Sequence, residues 1–299
     1  MSARQASPAQ LRLYTVAGFA TFMGLWYLAG VLGLTPARFL PMPHEVVLRG
    51  WQLLFEPFAG LRLGEHLQSS LKRYGWGFFL AAAIGVPLGL MMGRIRWLDR
   101  LVSPLFDAVR FVAPVAWVPF AALWFGTGIG GPILIIFTGA FPPCLINAYR
   151  GARGIEPRFI EAAEMLGVRP WSMFTQVVFP ACVPSIIAGL RIGAGLGWLS
   201  LVGAELIVAS GGMGYLIVKG QSAIATDIVM AGMLSIGAVG ALIDGGKLPA
   251  HGTRDMPVWG MVYRTDAAGY YGDVPYDADG YVRARVLSLL EYISRLQVR

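Results

Sequence analysis

The sequence predicts an all-α, polytopic membrane protein with six transmembrane helices, and two observations carry that prediction. First, 56% of the 299 residues are hydrophobic and only 14% are charged, whereas soluble domains have about 45–50% and about 25%. Second, several apolar runs approach the roughly 20 residues that a helix needs to cross a bilayer. A single soluble core cannot bury this much apolar surface, so the bilayer is the expected solvent.

Charge and the metal-binding residue types exclude several other classes of function. The net charge of +7 is explained by arginines and lysines in cytoplasmic loops, and no basic stripe with interleaved aromatics predicts nucleic-acid binding. Cys144 and Cys182 lie in or beside apolar runs, which favours buried thiols over a disulfide or a metal site. His44, His66 and His251 lack ligand spacing, so we expect no zinc centre and no cofactor.

The first predicted span covers residues 13–34 and follows a polar, cytoplasmic tail of residues 1–12. Its apolar run is too long for a signal peptide and lacks a clear small-residue cleavage site, so we expect a retained helix. The loop that follows, residues 35–67, contains four prolines. Within that loop, residues 46–55 suit a short interfacial helix better than a span.

The second predicted span, residues 71–93, carries closely spaced glycines. They form a small-residue face of the kind that lets membrane helices approach one another, and we interpret it as a packing face. Lys72 and Arg73 fall at the outer end of this span. Because long basic side chains reach toward lipid headgroups, we expect both to extend to the membrane surface.

The remaining four spans alternate with turns of opposite charge character. Positively charged turns at residues 94–100 and 150–169 are predicted to be cytoplasmic, which places both termini inside. Three prolines interrupt the third span, where neighbouring helices would satisfy the freed carbonyls. Asp107 and Arg110 in that span predict a structural i,i+3 ion pair. The four spans cover residues 101–125, 132–149, 184–208 and 224–243, with uncharged outer turns at 126–132 and 210–215.

A charged island punctuated by glycine and proline, residues 161–180, separates the fourth and fifth spans. Pro157 and Pro170 each open a helical stretch, and Gly167 between them permits a sharp reversal. A helix–Gly–helix unit of this kind, held against the bundle, can transmit a push from a partner to the membrane helices.

Three residues of the island give it the character of a docking surface. Ala162 and Ala163 would let the backbone of a partner come near, and Glu161 offers a charge that fixes the partner's position. The residues alone leave a second interpretation open, in which the island is an ordinary amphipathic cytoplasmic loop.

The island resembles the EAA signature of binding-protein-dependent ABC transporter permeases. The signature residues here are Glu161, Ala162, Ala163, Gly167 and Pro180, at the family's spacing. Val177 and Phe179 stand where the family usually has Ile and Leu. The similarity covers about residues 13–243, and it implies that the island forms a coupling helix seated in a groove of a cytoplasmic ATPase.

The resemblance also implies the partners and the solute class. The sequence outside the island, including PVAWVPFAALWFG and LRIGAGLGWLSLVGAEL, is similar to the branch of these permeases that imports nitrate, taurine and aliphatic sulfonates across the bacterial inner membrane. No Walker A sequence is present, so ATP would be hydrolysed by separate ABC ATPase subunits and this chain is not an enzyme. A periplasmic or lipid-anchored solute-binding protein would capture the solute. Two copies of the permease would enclose the path.

Arg191 and Glu205 are the ionisable residues placed most deeply in a span. Charges in a bilayer are costly, so such residues face a bundle interior or an aqueous cavity, and they pair. Fourteen residues separate them, which is about 21 Å along a helix, so they cannot pair with each other. Two roles stay open for each residue: lining or gating the translocation path, and structural pairing with another helix.

The tail, residues 244–299, departs from the permease pattern and has no spanning segment. It resembles the C-terminal half of a class I cytochrome c, in which Met256 would be an axial haem ligand. The sequence has no CxxCH, so covalent haem attachment within this chain is excluded. We therefore expect a fusion or a truncated reading of two genes with no bound haem. The alternative function is a membrane-anchored electron-transfer protein in which the tail is the working part.

Overall fold

A computed structural model describes residues 8–33, 36, 39–126, 128–207 and 209–243. These residues belong to one compact unit, Met1–Lys247. Their regular structure is helical, apart from an isolated antiparallel bridge between Phe58 and Leu61. The all-α prediction is confirmed.

Eleven α-helices follow one another in the described part of the chain. They are α1 (Pro8–Val31), α2 (Pro43–Phe55), α3 (Leu63–Arg94), α4 (Arg96–Arg110), α5 (Val118–Phe125), α6 (Gly130–Arg153), α7 (Pro157–Met165), α8 (Pro170–Ser172), α9 (Phe179–Ile207), α10 (Met213–Ser222) and α11 (Thr226–Ile243). A 3₁₀ turn, Pro114–Trp117, precedes α5, and a π-helical turn, Met173–Val178, joins α8 to α9.

Five of the described helical stretches are long and apolar enough to cross a membrane, and a bent pair raises the number to six. The bent pair corrects the third predicted span, residues 101–125, because α4 and the Pro114–Phe125 stretch meet at 90°. Pro114 explains the break: a proline disfavours helical backbone at the residue before it, and Ala113 is extended at φ −56°, ψ 140°.

The start of the fifth predicted span is also corrected. Instead of beginning at residue 184, the helical path is continuous over Pro170–Ile207, including the π-helical turn. The predicted outer turn at residues 210–215 is shorter than expected, because α10 begins at Met213. A helix of ten residues is too short to span a bilayer, which is why hydropathy alone did not separate it from the loop.

The centre of the bundle is formed by α3, α6 and α9, which pack closely through small residues. A Cβ on Gly77 of α3 would lie 2.6 Å from the Ile136 side chain of α6, and one on Gly193 of α9 would lie 2.8 Å from the Cys144 sulfur. Close approach of this kind requires glycine. The interpretation of the α3 glycines as a packing face is therefore confirmed for Gly77, Gly85, Gly89 and Gly93, but Gly75 meets no neighbouring atom. Both cysteines are buried free thiols.

Two apolar clusters lie at different places in the bundle. One, which we call the EAA-side cluster, joins the segment around α7 to the central helices; its buried members are Leu90, Ala148, Ala152, Ala163, Met173, Val177, Val178, Cys182 and Ile186. The other joins α2, α3, α10 and α11; its buried members are Val46, Leu53, Leu63, Met213, Leu216, Ile228 and Ala231. The two clusters share no buried residue, and only the EAA-side cluster contains buried residues of α9.

Candidate functional site

The segment from α7 to the start of α9, residues 157–180, contains the predicted docking residues, and we call it the EAA segment. Its reversal is built at Gly167, whose φ of +70° lies in the left-handed region that favours glycine. The Gly167 N–H donates to the Glu164 carbonyl at 2.9 Å, and the Val168 N–H donates to the Ala163 carbonyl at 3.2 Å. These two bonds form a Schellman motif, which satisfies the carbonyls at the end of α7.

The EAA segment is fastened to the bundle on one side and exposed on the other. Ala163 is 1% exposed and packs in the EAA-side cluster beside residues of α6 and α9. Glu161, Ala162 and Gly167 are exposed. The expectation that both alanines would admit a partner therefore needs correction, because Ala163 contacts the chain's own helices and Ala162 alone is open to a partner.

Two large apolar side chains of the EAA segment are also exposed. Met165 is 88% exposed at the end of α7 and Trp171 is 75% exposed in α8. Apolar side chains without internal packing, on a segment that is otherwise charged, are typical of a surface that binds another protein or a membrane interface.

Pro180 lies in the first turn of α9, directly after the π-helical turn, and it is exposed. A proline has no N–H and its ring clashes with the carbonyl four residues earlier in an α-helix. The chain before it uses wider bonds, with the Phe179 N–H donating to the Phe174 carbonyl. The π-helical turn thus accommodates Pro180 within one continuous helical path, at the junction between the EAA segment and the spanning part of α9.

At the other end of α9, the Glu205 side chain is fully buried and lies in a cluster of hydrogen-bond donors. Ser70 Oγ lies 2.8 Å from both carboxylate oxygens. Arg73 Nη1 donates to Oε1 at 3.0 Å, forming an ion pair, and the Gly214 N–H donates to Oε2 at 3.0 Å. We call Glu205, Arg73, Ser70 and His66, with Gly211–Gly214, the Glu205 cluster.

The turn between α9 and α10 wraps around the same carboxylate. The Gly211 carbonyl accepts a hydrogen bond from Arg73, and the Met213 N–H donates to Ser70 Oγ at 2.9 Å. Gly212 has a φ of +117°, and a Cβ there would overlap the Glu205 carboxylate. Glycine is therefore required at 212 for both backbone conformation and space.

His66 completes the cluster in a defined tautomer. The Gly212 N–H lies 3.2 Å from His66 Nδ1, and a backbone N–H can only donate. Nδ1 is therefore the acceptor and carries no proton, so Nε2 carries it and donates to the Phe58 carbonyl at 3.0 Å. The imidazole joins the Gly212 turn to the stretch before α3.

The Arg73 partnership was missed by sequence reasoning, and the prediction that Arg73 extends to the membrane surface is wrong. The residue is 6% exposed. A usable signal existed: His66, Ser70, Arg73 and Gly77 follow one another at three- and four-residue steps, so they lie on the face of α3 that carries its packing glycines. The predicted Asp107–Arg110 ion pair in α4 is confirmed at 2.9 Å.

The two predicted path residues are not brought together. Arg191 lies midway along α9 and is partly exposed, whereas Glu205 is two residues from the helix end. For Glu205, the structure shows the pairing with another helix that the sequence left as one of two roles. No group of three or more His, Cys, Asp or Glu side chains in the described residues is placed to hold a metal ion. Met256 and the rest of the tail lie outside the described residues.

Comparison with known proteins identifies the family of the chain. Residues 85–245 match the family model of the binding-protein-dependent transport system inner membrane component. The taurine transport system permease protein TauC of Escherichia coli is 32% identical, covering 77% of this chain and 84% of that protein. The bicarbonate transport system permease protein CmpB of Synechococcus elongatus is 38% identical, covering 78% and 85%.

A solved structure shares the fold at low sequence identity. The inward-facing MetNI methionine ABC transporter gives a TM-score of 0.53 at 19% identity, covering 68% of this chain and 96% of the transporter chain. The family model covers the end of α3 and all of α4–α11, and each relative covers more than three quarters of the chain. The chain therefore belongs to the inner-membrane components of binding-protein-dependent transport systems and is a transmembrane permease subunit of an ABC importer.

Proposed function

We propose that this permease couples a separate ATPase to the import of a small anionic solute, and that the EAA segment is where the ATPase binds. The observation that carries the proposal is the two-sided packing of that segment. Ala163 is buried against the bundle, while Glu161, Ala162 and Gly167 are exposed. A force applied to the exposed side would pass directly to α6 and α9, because the buried side packs on residues of both helices.

The proposed topology places the EAA segment and both termini in the cytoplasm. Residues 150–169 carry four arginines, and loops rich in arginine and lysine favour the inside. The Glu205 cluster would then lie toward the outer side of the membrane, where a periplasmic or lipid-anchored binding protein delivers the solute.

The solute class is argued from relatives and from Arg191. Taurine is a sulfonate and bicarbonate is a small anion, and permeases named for both are 32% and 38% identical to this chain. Arg191 is partly exposed near the middle of α9, where contact with lipid would be costly. We propose that it faces an aqueous path enclosed by a second copy of the chain and that it attracts the anion.

A reconstitution experiment tests the docking assignment. Proteoliposomes would contain the permease, its cognate ATPase and its binding protein, and uptake of labelled taurine or bicarbonate would be measured together with ATP hydrolysis. Glu161→Ala should lower both the stimulation of the ATPase and the uptake. Glu56→Ala, which removes an exposed glutamate from the end of α2, is the matched control and should change neither. Normal coupling in Glu161→Ala would contradict the docking role.

No observation in the described residues favours the electron-transfer alternative, because it depends on the tail, and the matched family model ends at residue 245. An absorbance spectrum of the purified protein tests it directly. A Soret band at stoichiometric haem would support electron transfer.

A further inference from the structure

The Glu205 carboxylate is closed off from any solute by its own protein partners. Its side chain has no exposed surface, and donors from Ser70, Arg73 and Gly214 occupy both oxygens. A residue that binds or gates an anion needs an exposed face. A carboxylate would also repel the anion that the permease is proposed to carry. The geometry therefore points away from the path and toward a mechanical role.

The same carboxylate joins three separate parts of the chain. It extends from α9, it accepts from two residues of α3, and it accepts from the first turn of α10. The donor from α10 lies at the N-terminal end of that helix, where backbone N–H groups lack partners within the helix and a negative charge is favourable. The turn is fastened a second time, because Arg73 donates to the Gly211 carbonyl and Ser70 accepts from the Met213 N–H.

We propose that Glu205 and Arg73 are positioning residues for transport, which fix the turn Gly211–Gly214 and the start of α10 on α3 so that these elements and the end of α9 move as one body. The movable part of α9 is then its opposite end, where the π-helical turn joins it to the EAA segment. This inference rests on the proposed function, since it assumes that force enters at the EAA segment.

The first test is a charge-removal series in the assembled importer. Glu205→Gln keeps the size of the side chain but leaves Arg73 buried without a counter-charge, which is strongly unfavourable. We expect uptake to fall by about tenfold or more, because partners of one buried network are coupled. The double variant Arg73→Gln/Glu205→Gln removes both charges, while its two amides can still hydrogen-bond to each other and to the turn, so it should recover uptake to within about threefold of wild type.

This recovery separates the positioning role from a path role. If the Glu205 carboxylate contacted the solute, neutralising Arg73 would not restore uptake to Glu205→Gln. The control is Asp107→Asn, which breaks the exposed ion pair of α4 by the same carboxylate-to-amide change and should leave uptake unchanged. Unchanged uptake in Glu205→Gln, or a double variant no better than the single one, would overturn the proposal.

The second test immobilises the turn directly. A Cβ built on Gly211 lies 3.5 Å from the Leu61 side chain, just before α3, so Leu61→Cys and Gly211→Cys place two thiols within reach of a short bis-methanethiosulfonate. This reagent forms one disulfide bond with each thiol, releases methanesulfinate, and is cleaved by a reductant. The native thiols of Cys144 and Cys182 are buried. We propose that the turn Gly211–Gly214 and the stretch before α3 never separate during transport. The tether should therefore leave uptake within about twofold of the untethered protein, a much smaller change than the loss expected when the buried ion pair is broken.

Loss of uptake on tethering, with recovery when the tether is cleaved, would show that the turn moves against α3 and would overturn the inference. Uptake by the untethered double-cysteine protein, measured in the same vesicles, tests the proposed function separately. The two possible failures are therefore distinguishable.

Discussion

The two ends of α9 differ in how they are held, although they belong to one helical path. At the Glu205 end, a buried carboxylate is paired with Arg73 and bonded to Ser70 and Gly214. At the EAA end, the helix passes through a π-helical turn into an exposed reversal at Gly167. A buried ion pair is costly to disturb, whereas a π-helical turn already departs from the favoured bonding pattern. The Glu205 end of α9 is therefore held by a buried ion pair, and the EAA end by apolar packing around a π-helical turn. We propose that the EAA end is the adjustable one.

The largest expected change in stability comes from breaking the ion pair at the Glu205 end of α9. Arg73→Leu would leave Glu205 buried without its cation, and we expect the free energy of unfolding to fall by about 3–5 kcal/mol. Thermal unfolding of the purified protein in detergent would measure this change. Lys72→Leu is the matched control, since Lys72 is the exposed neighbour on the same helix and should alter the unfolding temperature little. Equal effects in the two variants would mean that the ion pair does not hold this end.

An intermediate change in stability is expected from a substitution at Gly167, at the EAA end of α9. Gly167→Ala meets no nearby atoms, but it places a side chain at φ +70°, so the cost comes from the backbone and should be about 1 kcal/mol. Because that cost falls on an exposed segment, we expect a small change in unfolding temperature and a clear loss of ATPase stimulation.

Gly75→Ala provides the comparison for that variant. Gly75 lies within α3, and a Cβ there also meets no atom within 4 Å, so alanine should be tolerated or should stabilise the helix. If Gly75→Ala impaired ATPase stimulation as much as Gly167→Ala, the special role of the reversal would be refuted.

The smallest expected change in stability comes from a substitution at Pro180, where the EAA segment joins the spanning part of α9. Pro180→Ala removes the ring clash and restores an N–H, so ordinary α-helical bonds can form across residues 173–180. We expect a change of less than about 1 kcal/mol in stability and slower hydrogen exchange over Met173–Val178. Exchange measured by mass spectrometry would show this. Unchanged exchange would mean that Pro180 is not the cause of the π-helical turn.

The residues that the sequence located best were those defined by local pattern. The reversal at Gly167 was predicted because only a few residue types permit a sharp turn between two helices that begin at prolines. The packing face of α3 was predicted because its glycines recur at helical spacing. The roles of Ala163 and Arg73 could not be read in the same way, since each depends on which distant helix lies opposite.

The tertiary structure also decided where one predicted span breaks. The apolar run of residues 101–125 is long enough to cross a bilayer, and composition does not state whether prolines kink a helix or end it. The 90° bend between α4 and the Pro114–Phe125 stretch depends on how neighbouring helices meet the freed backbone groups.

The amino-acid pattern was sufficient to predict a membrane-embedded helical protein, the approximate positions of its spans, and the position of its EAA segment. Hydropathy, helical spacing and turn residues act between neighbours along the chain, so they can be read from it directly. The pairing of Glu205 with Arg73, 132 residues away, and the inward orientation of Ala163 are visible only in the folded chain. The ion pair follows from the cost of burying a charge unpaired, and the orientation of Ala163 follows from apolar packing against α6 and α9. Both are settled only when the helices have packed.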